Sequence, residues 1–125
     1  MKYLRTILKT FKPLFIEESM VPKLLSYLSP INIGAITLGL VVFSRDKMSD
    51  RTKRHETIHF QQYLDLFFIG FIFVYLFDYF YACIKYRDFK FAYYRIRFEQ
   101  EAYMNDGNED YLLERTRYNW ISLDI

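Results

Sequence analysis

A chain of 125 residues has room for one domain with a modest core, and not for a separate accessory domain. Hydrophobic residues at 52% and aromatics at 21% exceed ordinary soluble usage, yet charged residues at 26% exclude a chain that is simply buried in lipid. A net charge of +2, with basic side chains scattered among acids, gives no footprint for nucleic acid. The single cysteine, Cys83, excludes an internal disulfide framework, fits a reducing compartment, and reads as a small core residue.

The opening stretch, MKYLRTILKTFKPLF, places Leu4, Ile7, Leu8 and Phe11 at helical spacing, with Lys2, Arg5, Lys9 and Lys12 mostly elsewhere. This predicts a short amphipathic helix that either lies on a membrane surface or packs on its own domain. It lacks an uninterrupted apolar run and a small-residue cleavage site, so it does not read as a signal peptide. A cytoplasmic or membrane-associated location follows as the expectation. Pro13, Pro22 and Pro30 punctuate the first third, and KLLSYLS predicts a short helix opening with Pro22. Residues 1–30 read as an N-terminal helical extension, 31–106 as the core and 107–125 as a C-terminal tail of one domain. INIGAITLGLVVFSRDK is rich in β-branched residues and broken by Gly34 and Gly39, which predicts one or two strands arranged as a hairpin. Ser49 or Asp50 then offers an N-cap for a helix from about Arg51 through both histidines.

From Leu66 to Ile84 the chain is apolar except for Asp78. The clean run to Phe77 would be about 18 Å long as a helix, against a hydrocarbon core of about 30 Å, and extension to Ile84 reaches only about 28 Å. A carboxylate inside lipid costs about 2.5–3.5 kcal/mol on insertion scales. The many Phe and Tyr residues suit an interface or a small core. The expectation is therefore a buried or interfacial helix rather than a span. YRD marks a loop, FKFAYYRIRFEQEAYMN a further helix, DGNED a turn at Gly107, and YLLERTRYNW a last short helix. The expected class is α+β, mostly helical, with a small β-hairpin packed beside the histidine helix and a following glutamate helix.

The only two histidines, His55 and His59, flank Glu56 in RHETIH. Residues i and i+4 share a helix face, so both imidazoles can meet one metal ion, and zinc takes nitrogen ligands. Glu56 is rotated off that direction by about 100°, where it can reach a metal-bound water and act as general base. A site of this kind needs a third protein ligand and keeps one position for water. No histidine or suitable cysteine remains, so a carboxylate must supply it. Glu99 and Glu101 in RFEQEAY are the candidates, and being two apart they point to different faces, so only one should bind. Solvated histidines at a helix start are the bland alternative. The N-cap, the lack of other histidines and the carboxylate-rich helix downstream weigh against it.

HETIH followed by EQEAY resembles the gluzincin zinc metallopeptidases. GAITLGLVVFSRDK, RHETIHFQQ, YRD and AYYRIRFEQEAY together resemble a group of small HExxH proteins from bacteria and their viruses, over roughly residues 33 to 103. The resemblance implies a minimal zincin-like core that binds Zn2+ through His55, His59 and Glu99, with Glu56 as general base. Glu99 takes the ligand role because Ala102 falls three residues later, as in the E-x-x-A-D pattern of one gluzincin branch; Glu101 is the alternative. Where that branch has an aspartate orienting a ligand histidine, this chain has Tyr103, whose phenol can hydrogen-bond an imidazole. The implied activity is hydrolysis of a peptide or protein substrate, bound in extended form along the edge of AITLGLVVF. Larger relatives carry substrate-binding subdomains for which this chain has no room. Tyr94, Tyr103 and Arg95 are candidate oxyanion helpers, though packing explains each more readily. The competing reading is non-catalytic: a zinc-stabilised or zinc-free aromatic module that binds membrane or a partner protein.

Glu99 can join the histidines only if the chain comes back. A straight helix from His59 to Tyr86 travels about 40 Å, and the return from Asp88 to Glu99 recovers about 16 Å. The ligand assignment thus predicts a sharp bend in the aromatic stretch, at Gly70 or near Asp78, and disfavours a spanning helix.

Overall fold

A computed structural model describes residues 11–29 and 31–125, and the amphipathic pattern at residues 1–10 lies outside them. The class is α+β and mostly helical, as expected. Strands β1 (Leu14–Ile16), β2 (Ala35–Leu38) and β3 (Val41–Ser44) form one sheet in the order β1-β3-β2. The hairpin is β2–β3, with Leu38 opposite Val41 and Gly39 at φ +66° in the two-residue turn. Strand β1 runs parallel to β3, with Leu14 opposite Val41, so this part of the expected helical extension belongs to the sheet. Three residues after a proline are too few for alternation to register. Helix α1 (Val21–Ser26) carries Pro22 in its first turn.

Helix α2 (Asp50–Asp65) holds both histidines and starts where the Ser49 hydroxyl accepts the Thr52 N–H at 3.1 Å. It ends in an abrupt reversal. Phe67 and Phe68 stand at φ 53° and 68°, a left-handed conformation that is unfavourable for bulky residues. Phe68 N–H is held by the Tyr63 carbonyl at 2.8 Å. Helix α3 (Ile69–Tyr86) then leaves in a new direction. The bend that the ligand assignment requires therefore falls at residues 66–68, just ahead of Gly70. Gly70 still serves it, because a Cβ there would sit 2.9 Å from Leu66 Cβ.

Asp78 is buried in the middle of α3. Its carboxylate accepts from the Arg97 backbone N–H at 3.1 Å, from Nε at 2.9 Å and from Nη2 at 2.8 Å. That grip coincides with a break the sequence does not show. The single helix expected over 89–105 is two, α4 (Phe89–Arg95) and α5 (Arg97–Asn105), with Ile96 extended between them. The first amide of a helix has no intrahelical acceptor, and Asp78 supplies one for α5. The expected last helix is likewise a short α6 (Tyr111–Glu114) followed by a 3-10 turn at Asn119–Ser122.

The core lies where α2, α3, α5 and the 3-10 turn meet. Phe71 stacks between Tyr63, at 3.8 Å, and Phe98, at 4.4 Å, and Trp120 packs edge-on against Phe98. A second cluster of Ile58, Ala102 and Tyr111 joins α2 to α5 and α6. Cys83 is only half-buried, on α3. Gly70→Ala is expected to destabilise the fold by about 1–3 kcal/mol, because the added methyl must displace Leu66 at the root of its side chain; denaturant unfolding of the two proteins measures it.

Candidate metal centre

Helix α2 turns His55 and His59 toward α5, and the small, fully buried Ala102 beside Ile58 lets the two helices approach. Glu99, in the first turn of α5, lies between the imidazoles. Its Oε2 is 3.2 Å from His59 Nε2 and 3.4 Å from His55 Nε2. One ligating atom from each of the three residues falls within 4.8 Å of the others, and all three residues are buried.

The other ring nitrogens are held by fixed partners. His55 Nδ1 lies 3.0 Å from Asp106 Oδ2, and His59 Nδ1 lies 2.8 Å from Gln62 Oε1. Both partners accept, so each Nδ1 has an acceptor for its proton, which leaves Nε2 as the nitrogen available to a metal ion. The Gln62 amide is oriented beyond doubt by its other end, which donates to the Phe98 carbonyl at 3.1 Å and to Glu101 at 3.0 Å. Asp106 is steadied by Arg51 at 2.8 Å. Tyr75 donates its hydroxyl to Glu99 Oε1 at 3.1 Å.

Two imidazoles with Nδ1 protonated aim Nε2 lone pairs at a carboxylate. Such a group repels itself unless a positive charge sits within it. With no metal, a proton takes that place. Burial alone would push the His59 imidazole down, but the Glu99 carboxylate against it, with Glu56 and the Gln62 bond, raises it to about 9. Burial would push Glu99 up, but the charges and hydrogen bonds of His59 and His55 hold it well below the usual carboxylate range. Two imidazole nitrogens and one carboxylate oxygen fit Zn2+, and other first-row divalent ions accept the same donors.

Glu56 stands apart from this cluster. Its Oε2 accepts the Thr37 hydroxyl at 2.7 Å, which ties the carboxylate to edge strand β2. Both residues line a cleft of about 780 Å³ that also holds His55, His59 and Glu99. In β2, Gly34 and its alternate neighbours bond to β3, so Ala35 and Thr37 turn their N–H and C=O groups outward. The Thr37 carbonyl accepts from the Tyr63 hydroxyl at 3.1 Å.

The remaining candidates are distributed differently. Glu101 faces away from the imidazoles. Its carboxylate takes Arg115 Nε at 2.6 Å, the Tyr111 hydroxyl at 2.6 Å and the Gln62 amide, so it stands outside the cluster of His55, His59 and Glu99 and meets His59 only through Gln62. Tyr103 touches His55 with its ring, centroids 4.5 Å apart, while Asp106 holds the imidazole nitrogen assigned to it by resemblance. Tyr94 and Tyr103 line the cleft. Arg95 does not: it donates to the Asp124 carbonyl and lies over the Tyr86 ring. Sequence reasoning overlooked Asp106, Gln62 and Thr37. Asp106 follows Glu99 by seven residues, two helical turns along one face, and that spacing was the available signal.

Metal uptake at neutral pH must displace the His59 proton. Apparent affinity is expected to rise about tenfold per pH unit until the pH reaches about 9, with proton release on binding, read by competition with a chromophoric chelator. In the same assay Asp106→Ala should weaken binding about 10–100-fold, by freeing the His55 ring. No family model, no curated protein and no solved structure matches this chain, so the functional reading of the site rests on its own geometry.

Proposed function

We propose that this chain is a minimal metal-dependent peptide-bond hydrolase, with His55, His59 and Glu99 holding one divalent ion, zinc in the first instance, and Glu56 acting as general base. The observation that carries this is the set of three buried donors converging at the wall of an open cleft, each with its outer atoms already engaged: His55 by Asp106, His59 by Gln62 and Glu99 by Tyr75. A purely structural zinc site is closed all round, whereas a catalytic one faces space for water and substrate.

A divalent ion held there supplies Lewis acidity, acidifying water and polarising a carbonyl. The chain's own groups do the rest. Glu56, held by Thr37, takes a proton from the attacking water and returns it to the leaving amine. With the Thr37 carbonyl taken by Tyr63, the outward N–H and C=O of Ala35 offer main-chain hydrogen bonds to an extended peptide, and β2 lines the cleft along its length. Tyr103 is pushed up to about 12, chiefly by burial, so its phenol stays a donor at neutral pH for a developing oxyanion.

Glu56→Gln should keep about one metal ion per chain and lose about 10²–10⁴-fold in hydrolysis of an unfolded protein substrate. His59→Ala should lose the ion. Elemental analysis and a peptide-release assay read both, and undiminished turnover in Glu56→Gln would end the proposed mechanism.

A further inference from the structure

Helix α3 carries an apolar face that no described part of the chain covers. Ile69, Phe73, Phe77, Phe80 and Ile84 recur at three- and four-residue intervals and are each 60–77% exposed. Ile72 and Leu76 border this stripe and also line the cleft. No charge of α3 interrupts it: Asp78 is buried on the inner face with Arg97, and Lys85 belongs to the last turn. Surface apolar residues are ordinary when scattered, but a contiguous stripe of this size marks a surface that meets something apolar.

The charges around the stripe say what that is. Lys85, Arg87 and Lys90 are exposed and gather at its C-terminal end, beside the exposed rings of Phe89 and Phe91. Asp88 is engaged as the N-cap of α4, accepting the Phe91 N–H at 2.9 Å, and the segment of Asp124 and Ile125 reaches this end only beside Lys85, Tyr86 and Arg95. Arg87 and Lys90 form no ion pair among the described residues. Lys85 donates to the Ile125 oxygen at 3.1 Å, so the free cations at this edge are Arg87 and Lys90. An apolar aromatic face edged by these two matches the boundary between acyl chains and anionic headgroups. Helix α3 is long and apolar enough to cross a membrane by length and composition alone. Yet the chain returns along its inner face through α4 and α5, bringing Arg97 and Glu99 with it. A span would carry that polar return into hydrocarbon, whereas a helix lying flat buries only the stripe.

We propose that α3 seats this protein on the surface of an anionic lipid bilayer, with its phenylalanines in the acyl boundary and Arg87 and Lys90 on the headgroups. The seating does not depend on hydrolytic activity. It puts the mouth of the cleft, through Ile72, Leu76 and Lys90, at the membrane surface.

Co-sedimentation of the purified full chain with phosphatidylcholine vesicles, with and without phosphatidylglycerol, tests this. The chain should pellet with the anionic vesicles and much less with neutral ones. Charge reversal in Arg87→Glu with Lys90→Glu should weaken anionic binding about tenfold or more. Phe73→Ser with Phe77→Ser and Phe80→Ser should stay in the supernatant with its metal content unchanged. Should that variant not fold, Phe77→Trp gives a second measurement: quenching by lipids brominated near the headgroup supports the flat seating. Absence of vesicle binding overturns the proposal, as does self-association through the same phenylalanines without lipid. Quenching only by deeply brominated lipid, with resistance to alkaline extraction, overturns it in favour of a span.

Discussion

Glu99 sits buried with one oxygen within 3.4 Å of two imidazole nitrogens, and the rest of the fold is organised around that contact. A carboxylate removed from water costs several kcal/mol unless charge and hydrogen bonds compensate. Here the compensation comes from a residue forty positions away, so the chain must reverse within that interval. The left-handed pair at Phe67 and Phe68 makes the reversal, and the Asp78–Arg97 pair sets where α5 begins. Backbone strain and a buried ion pair are therefore both consequences of bringing one glutamate back.

Features encoded by neighbours were legible, and features encoded across the fold were not. The Ser49 cap, the hairpin at Gly39 and the shared face of His55 and His59 each follow from residues within one turn of each other. The need for a bend followed from helix rise once Glu99 was assigned beside the histidines, but not its position, because nothing marks two consecutive phenylalanines for positive φ. Ile96 is an ordinary helix residue, and the helix breaks there beside the hold of Asp78, nineteen positions upstream, on its neighbour Arg97. Asp106 falls in a run of turn-forming residues, which hid its position two turns beyond Glu99. Choosing between Glu99 and Glu101 from the residues alone was out of reach, since both are buried and both are engaged.

The C-terminal segment is more than a tail. Arg115 is buried between Asp65, at 2.7 Å, and Glu101, at 2.6 Å, and Trp120 closes the aromatic core. A cation between two carboxylates satisfies all three only when each arrives in register. From there a line of hydrogen bonds runs through Glu101 and Gln62 to the His59 ring. Arg115 and Asp65 thus steady an imidazole that neither of them touches directly.

Gln62 makes that line directional. Its oxygen serves the imidazole while its nitrogen serves a carbonyl and a carboxylate, so rotating the amide by half a turn would oppose like with like at every contact. Many metal-bound histidines lean on a carboxylate at this point. In this chain that choice is closed: an acid in place of Gln62 would confront Glu101 and the Phe98 carbonyl with lone pairs only. The neutral amide lets a ring in a densely anionic neighbourhood be aimed without adding another negative charge.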